Sequence, residues 1–199
     1  MSLGWSLVVP AYLLGTFPTA VLVGRRRGRD VTSEGSGNPG ASNTLRTMGR
    51  RAGALVLLGD LGKGALASAA GLLLAGRGVG VACGLAAVLG HVAPIGRRGG
   101  KGVATAAGMA LVLVPIVAAA LAVVWVVVAR ATSTASIASI AIAAAFPVGA
   151  AAVGRPAAEI AAFATCGLLV IVRHRDNLGR LRQGEEPGLR RGEGPTGRR

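Results

Sequence analysis

Three polar segments of this 199-residue chain carry the residue types that hold phosphate or stabilise an oxyanion. The first reads Glu34-Gly35-Ser36-Gly37-Asn38-Pro39-Gly40-Ala41-Ser42-Asn43 and continues through Thr44 and Leu45 to Arg46. A loop so dense in turn formers directs several backbone N–H groups inward. Ser36, Asn38, Ser42 and Asn43 add side-chain donors, the means by which proteins bind phosphate or stabilise an oxyanion. Arg46, close to one helical turn beyond Asn43, supplies a fixed cation. The enclosing stretch 25–52 is long for a plain connection between two helices, which favours a functional loop.

The second segment, Arg97-Arg98-Gly99-Gly100-Lys101-Gly102-Val103-Ala104-Thr105, sets glycines, an ammonium and a hydroxyl where an apolar run begins. A helix N-terminus there attracts an anion. The pattern is half of a nucleotide-binding Gly-rich loop, without the leading Gly or a preceding strand, so nucleotide binding is not expected. On its own it suits a phosphate site and a basic turn equally. The third segment, Arg173-His174-Arg175-Asp176-Asn177 through Gly184-Glu185-Glu186-Pro187, places His174 and Asn177 on one helical face. In isolation it reads as a basic stop beside a membrane span.

The elements that must position these segments are apolar. Over half the residues are hydrophobic, the mean hydropathy is +0.58, and the apolar residues come in blocks rather than at amphipathic spacing. The runs cover roughly 3–24, 53–75, 79–95, 103–130, 135–153 and 157–172, for which helix is the only economical state in lipid. Arg and Lys cluster in 25–52, 96–102 and 173–199, and the positive-inside rule puts all three on the cytoplasmic side. That placement requires the 103–130 run to cross twice. As one helix it would extend roughly 42 Å, well beyond the hydrocarbon core, and Pro115 breaks it near the middle. The predicted fold is therefore an all-α integral membrane protein, a polytopic bundle of seven transmembrane helices with its N-terminus outside and its C-terminus cytoplasmic. Residues 1–186 form its single domain, and 187–199 form a disordered basic tail.

Gly and Ala within the runs are read as close-packing residues. Asp60 and Lys63, three apart inside an apolar run, are read as a structural pair. A net charge of +14 would suit nucleic acid, but the Arg residues flank apolar spans and aromatics are scarce, so membrane lipid is the expected partner and nucleic acid is not. Cys83 and Cys166 lie in apolar runs without CxxC spacing or a neighbouring His, which predicts packing roles, with no metal and no cofactor. The first apolar stretch lacks a basic leader and a cleavage site, so it reads as a retained helix.

Together the segments GSGNPGASN with Arg46, GGKGVAT, and RHRDN leading to GEEP closely resemble the bacterial acyl-phosphate:glycerol-3-phosphate acyltransferases, the PlsY family. Order and spacing agree, and GTFPTA at 15–20, DLGKG at 60–64 and GLAAVLGH at 84–91 extend the resemblance over nearly the whole chain. It implies seven transmembrane helices in the bacterial inner (plasma) membrane with cytoplasmic active-site loops. The implied partners are acyl phosphate and glycerol 3-phosphate, and the chain is expected to act as a monomer. By this resemblance Ser36, His174 and Asn177 are the candidate catalytic residues. Gly35, Gly37, Asn38, Gly40, Asn43, Arg46, Gly99, Gly100, Lys101, Gly102, Ser136 and Glu186 are the candidate substrate-binding residues.

An acyl phosphate is already activated, so positioning and charge stabilisation supply most of the rate. The spacing of His and Asp used by many other glycerolipid acyltransferases is absent, since Gly96 and Gly179 stand five positions after His91 and His174. Substrate phosphate is therefore expected to help take the proton, with His174 and Asn177 orienting the hydroxyl. The rival reading is a small membrane transporter for a phosphorylated solute, disfavoured because polar motifs gather at one interface and mid-span charges are few.

Overall fold

The computed structural model describes residues 3–189, and among them every regular element is helical. A 3-10 turn at Leu3–Leu7 leads into α1 (Val8–Gly15), and α2 (Thr19–Arg25) follows a break at Thr16-Phe17-Pro18. The first polar segment then carries α3 (Ala41–Met48). The remaining helices are α4 (Arg50–Ala75), α5 (Arg77–Val92), α6 (Val103–Leu113), α7 (Pro115–Thr132), α8 (Ala135–Ala152), α9 (Ala157–Arg173) and α10 (Arg175–Arg182).

Four stretches, Gly4–Arg25, Arg50–Ala75, Pro115–Thr132 and Ala135–Ala152, are long and apolar enough to cross a membrane. α9 and α10, bent by 50° between them, add a fifth if taken as one span, and α5 and α6 are shorter apolar helices. Large aliphatic side chains such as Leu66, Leu73, Leu74 and Ile116 stand on the outside, the last three more than 70% exposed. A belt of that kind suits lipid and not water. The break expected near Pro115 is present. α6 stops at Leu113, Val114 leaves helical geometry (φ −144°, ψ 63°), and Pro115 opens α7, where its missing N–H costs nothing.

Packing is led by small residues. Gly64 of α4 lies against the Thr105 backbone of α6, and Gly108 of α6 lies against the Leu61 carbonyl of α4, so a Cβ on either would overlap the facing helix. This contact fixes the start of α6, and with it Lys101, close to α4. A central apolar cluster includes Val88, Met109, Phe146, Phe163 and Cys166, with the rings of Phe146 and Phe163 stacked at 4.7 Å. Both cysteines are buried and free, as packing residues would be.

The tail expected from the sequence to be disordered begins at Pro187. At its start the Leu189 N–H donates to the Ser133 carbonyl at 2.8 Å. The rest of that expectation, residues 190–199, lies outside the described residues.

Candidate active site

A cavity of about 630 Å³ opens where the three polar segments meet. Ser36, Asn38, Gly40, Asn43 and Arg46 line it from the first segment, Lys101 and Gly102 from the second, and His174, Asn177 and Glu186 from the third. Ser136 joins them from α8, its hydroxyl buried and without a hydrogen-bond partner among the described residues. From this polar mouth the cavity continues between apolar side chains, among them Leu57, Leu121, Ile142 and Phe146.

Asn43 organises the first loop. Its side chain is 1% exposed, Oδ1 accepts the Ser36 N–H at 2.9 Å, and Nδ2 donates to the carbonyls of Val31 at 3.1 Å and Glu34 at 3.0 Å. Both amide hydrogens are therefore engaged. The expectation that Asn43 offers side-chain donors to phosphate is corrected: it shapes the loop that presents Ser36. Gly35 and Gly37 do not line the cavity and make the turns around it, at φ +59° and +65°. Gly40 precedes α3 without a side-chain cap, and Ala41 and Ser42 of the first turn line the cavity beside it.

The second loop departs further from the expected amide cradle. The Gly100 N–H donates to the His91 carbonyl at 3.0 Å, while Arg173 donates from Nη2 to the Gly99 carbonyl at 2.9 Å and from Nε to the Gly100 carbonyl at 3.2 Å. Gly99 and Gly100 thus fix the turn and line a separate cavity of about 30 Å³, not the large one. Lys101 and Gly102 do face the large one. Gly102, at φ +85°, caps α6 without a side-chain bond, which leaves a second uncapped helix N-terminus at the cavity wall.

Polar contacts link the second and third segments directly. Lys101 Nζ donates to Asn177 Oδ1, Asn177 Nδ2 donates to Glu186 Oε1, and Arg180 Nε donates to Glu186 Oε2 at 2.8 Å. His174, just beyond the end of α9, donates from Nδ1 to the Val170 carbonyl at 2.7 Å, since a carbonyl can only accept. Its Nε2 therefore carries the lone pair in the neutral ring. Burial, helped by the Lys101 cation, brings the His174 pKa down to about 4, so the ring is neutral near pH 7. Burial also lowers Lys101 to about 8, opposed by the Glu186 carboxylate, and lowers Arg46, again opposed by Glu186. A dianion entering between these cations reverses that penalty.

A family model described as glycerol-3-phosphate acyltransferase matches residues 5–184. The chain belongs to this family. The glycerol-3-phosphate acyltransferase of Myxococcus xanthus is 46% identical over 187 residues, covering 88% of this chain and 94% of the relative. That of Exiguobacterium sibiricum is 42% identical over 186 residues, 90% of each. The glycerol-3-phosphate acyltransferase fold is also shared with PlsY, whose crystal structure as an integral membrane enzyme in its glycerol 3-phosphate form matches with a TM-score of 0.90. Identity there is 34%, over 94% of this chain and 96% of that one. The lysophosphatidic acid form gives 0.88 at the same identity. The resemblance drawn from the three motifs is thereby borne out, and the chain is a membrane acyltransferase of this family built on apolar helices.

Some site residues carried no sequence signal of their role. Trp125 lines the cavity with its Nε1 donating to Ser139 Oγ at 3.1 Å, yet it sits in a run of valines that reads only as a span. Asp60 and His91 also reach the cavity wall. In the sequence they show as a charge and an imidazole inside apolar runs, within the DLGKG and GLAAVLGH pieces of the family resemblance.

Proposed function

We propose that this acyltransferase moves a fatty acyl group from an acyl phosphate to the sn-1 hydroxyl of glycerol 3-phosphate, giving lysophosphatidic acid and phosphate at the cytoplasmic face of the bacterial plasma membrane. The reading is carried by one observation: a mouth with Arg46, Lys101 and two uncapped helix N-termini continues into an apolar cavity. Such a mouth suits two phosphates, and such a cavity suits one acyl chain. The seven-crossing topology, with α6 and α7 as a hairpin and the N-terminus outside, is supported by the Lys101–Asn177 contact, which joins two basic segments on one face. At about 16 Å, α6 is short of a full span and would need local thinning or shelter by its neighbours. The same gathering of polar groups at one face disfavours a transporter.

In the reaction the acceptor hydroxyl attacks the carbonyl of the mixed anhydride, the new ester C–O bond forms, and the C–O bond to phosphate breaks. Lys101 holds a substrate phosphate, with Arg46 and Ser136 beside it. Nε2 of His174 accepts a hydrogen bond from the attacking hydroxyl and, with Asn177, aims it. His174 is too weak a base to keep the proton, because its pKa is about 4. A non-bridging phosphoryl oxygen of the acyl phosphate, with a pKa of about 6 as in phosphate monoesters, is the better acceptor; it takes the proton as the C–O bond breaks, and phosphate leaves as the monohydrogen dianion. Ser36 stands at the mouth to stabilise the developing oxyanion or orient a phosphate, and transfer is direct.

Purified protein in a lipid mimic should release phosphate and lysophosphatidic acid from palmitoyl phosphate and glycerol 3-phosphate. Turnover with palmitoyl-CoA in place of palmitoyl phosphate would refute the donor assignment. Parallel double-reciprocal lines, or an acyl group trapped on Ser36, would overturn direct transfer.

A further inference from the structure

Asp60 and Lys63 of α4 and His91 of α5 form a buried ionic cluster that the proposed reaction does not use. They are 2%, 4% and 8% exposed. Lys63 Nζ donates to Asp60 Oδ1 at 2.7 Å and lies 3.4 Å from His91 Nδ1, which in turn is 3.7 Å from Asp60 Oδ1. An ammonium has no lone pair, so Nδ1 must accept and the ring proton sits on Nε2. This is the opposite tautomer to His174.

The Nε2 edge abuts Gly100, where a Cβ would overlap the ring. The His91 carbonyl also takes the Gly100 N–H at 3.0 Å. Ring and backbone of one residue thus grip the position before Lys101, and Arg173 holds the same turn by its carbonyls from the other side. Joining α4 to α5 does not require these charges. The two helices already meet through Gly76, with Gly71 packed on Gly80. Burying an ion pair in a span is costly, and apolar side chains of like volume would serve packing at least as well.

We infer that Asp60, Lys63 and His91 are positioning residues that hold Gly100 and so set where the Lys101 ammonium stands in the cavity. The inference rests on the phosphate-binding role proposed for Lys101. It ascribes to the cluster an effect on glycerol 3-phosphate that acts through the turn, with little effect on the acyl donor.

The neutral double variant Asp60→Asn/Lys63→Met leaves no unpaired charge, and His91→Ala removes the ring but keeps the carbonyl. In both, kcat/KM for glycerol 3-phosphate should fall roughly ten- to hundredfold, while KM for palmitoyl phosphate changes by less than about twofold. Amide hydrogen exchange on the full chain should quicken at residues 99–102, with α4 and α5 still protected. His91→Gln, which can return a donor to the Nε2 position, should recover part of what His91→Ala loses. Wild-type kinetics and wild-type exchange at Gly100 in the double variant would overturn the inference. If that variant loses protection throughout α4 and α5, the decision passes to the His91 pair: equal kinetics and exchange in Ala, Gln and wild type would also overturn it. Wild-type protein inactive with palmitoyl phosphate would sink the donor reading instead, leaving the exchange result at Gly100 to stand or fall by itself.

Discussion

Two carboxylates in this chain each accept from more than one side chain, and they end in different kinds of structure. Glu159, in the first turn of α9, takes Arg77 at 2.8 and 3.0 Å and Arg155 at 2.9 and 3.1 Å, and Arg77 also donates to the Leu113 carbonyl at 2.7 Å. This fork ties the starts of α5 and α9 to the end of α6, where the break at Val114 leaves that carbonyl without its helical partner. None of its three side chains lines the large cavity. Glu186 takes Arg180 and Asn177, and Asn177 takes Lys101, so the chain of contacts runs to a cation at the cavity wall. The first cluster is closed on itself and holds helices together. The second is open at one end, and that end is where an anion can bind. Ion pairing alone does not mark a site; an ionic chain that ends at a cavity does.

The contrast is most exposed to test at Lys101. Lys101→Met should lower kcat/KM for glycerol 3-phosphate by about a hundred- to a thousandfold, with the fold retained as judged by thermal melting. Unchanged kinetics would remove the phosphate role of the open cluster. His174→Ala should act mainly on kcat, by roughly a hundredfold, because in the proposed reaction it removes the acceptor that aims the hydroxyl and not a phosphate contact. An effect confined to KM would reassign that residue.

The pH profile gives a smaller but sharper reading. Lys101 has its pKa lowered by burial to about 8, so its charge is present below that value and lost as pH rises through it. KM for glycerol 3-phosphate should rise by about tenfold between pH 7 and 9, less if bound phosphate holds the proton on. His174 stays neutral down to about 4, so no loss from its protonation is expected between pH 5 and 7. A KM that is flat above pH 8 would show that another cation dominates. The smallest kinetic effect belongs to the closed cluster. Glu159→Gln should lower Tm by several °C, the scale of one charge-assisted contact, and leave KM for glycerol 3-phosphate within about twofold. A large kinetic change there would dissolve the distinction between the clusters.

Much of the helical framework was legible because hydropathy is a local property. The span ending in Ala75, the break at Pro115 and the helix leading to Arg173 follow from apolar runs and one proline. Less legible was the interruption of the first run at Pro18, since the flanking residues are apolar on both sides. The site was legible in its residue types and only partly in their use. Lys101, His174 and Glu186, marked by residue type in three separate segments, do converge on one cavity. Asn43 and Gly100 carry the same kind of signal, yet their N–H groups turn inward to Val31, Glu34 and His91. Nothing local marks Arg77, Arg155 and Glu159 as partners, since Arg77 and Glu159 lie 82 positions apart.

By itself the sequence determined that the chain enters a membrane, which segments stay polar, and which charges each segment brings, because those properties belong to residues and their near neighbours. Only the tertiary structure decided which donors remain open to a ligand. The partners that close a donor are remote in the chain, as with Lys101 and Asn177, 76 positions apart. A hydrogen bond that needs alignment within a few tenths of an ångström is set by how helices pack, and no local pattern encodes that.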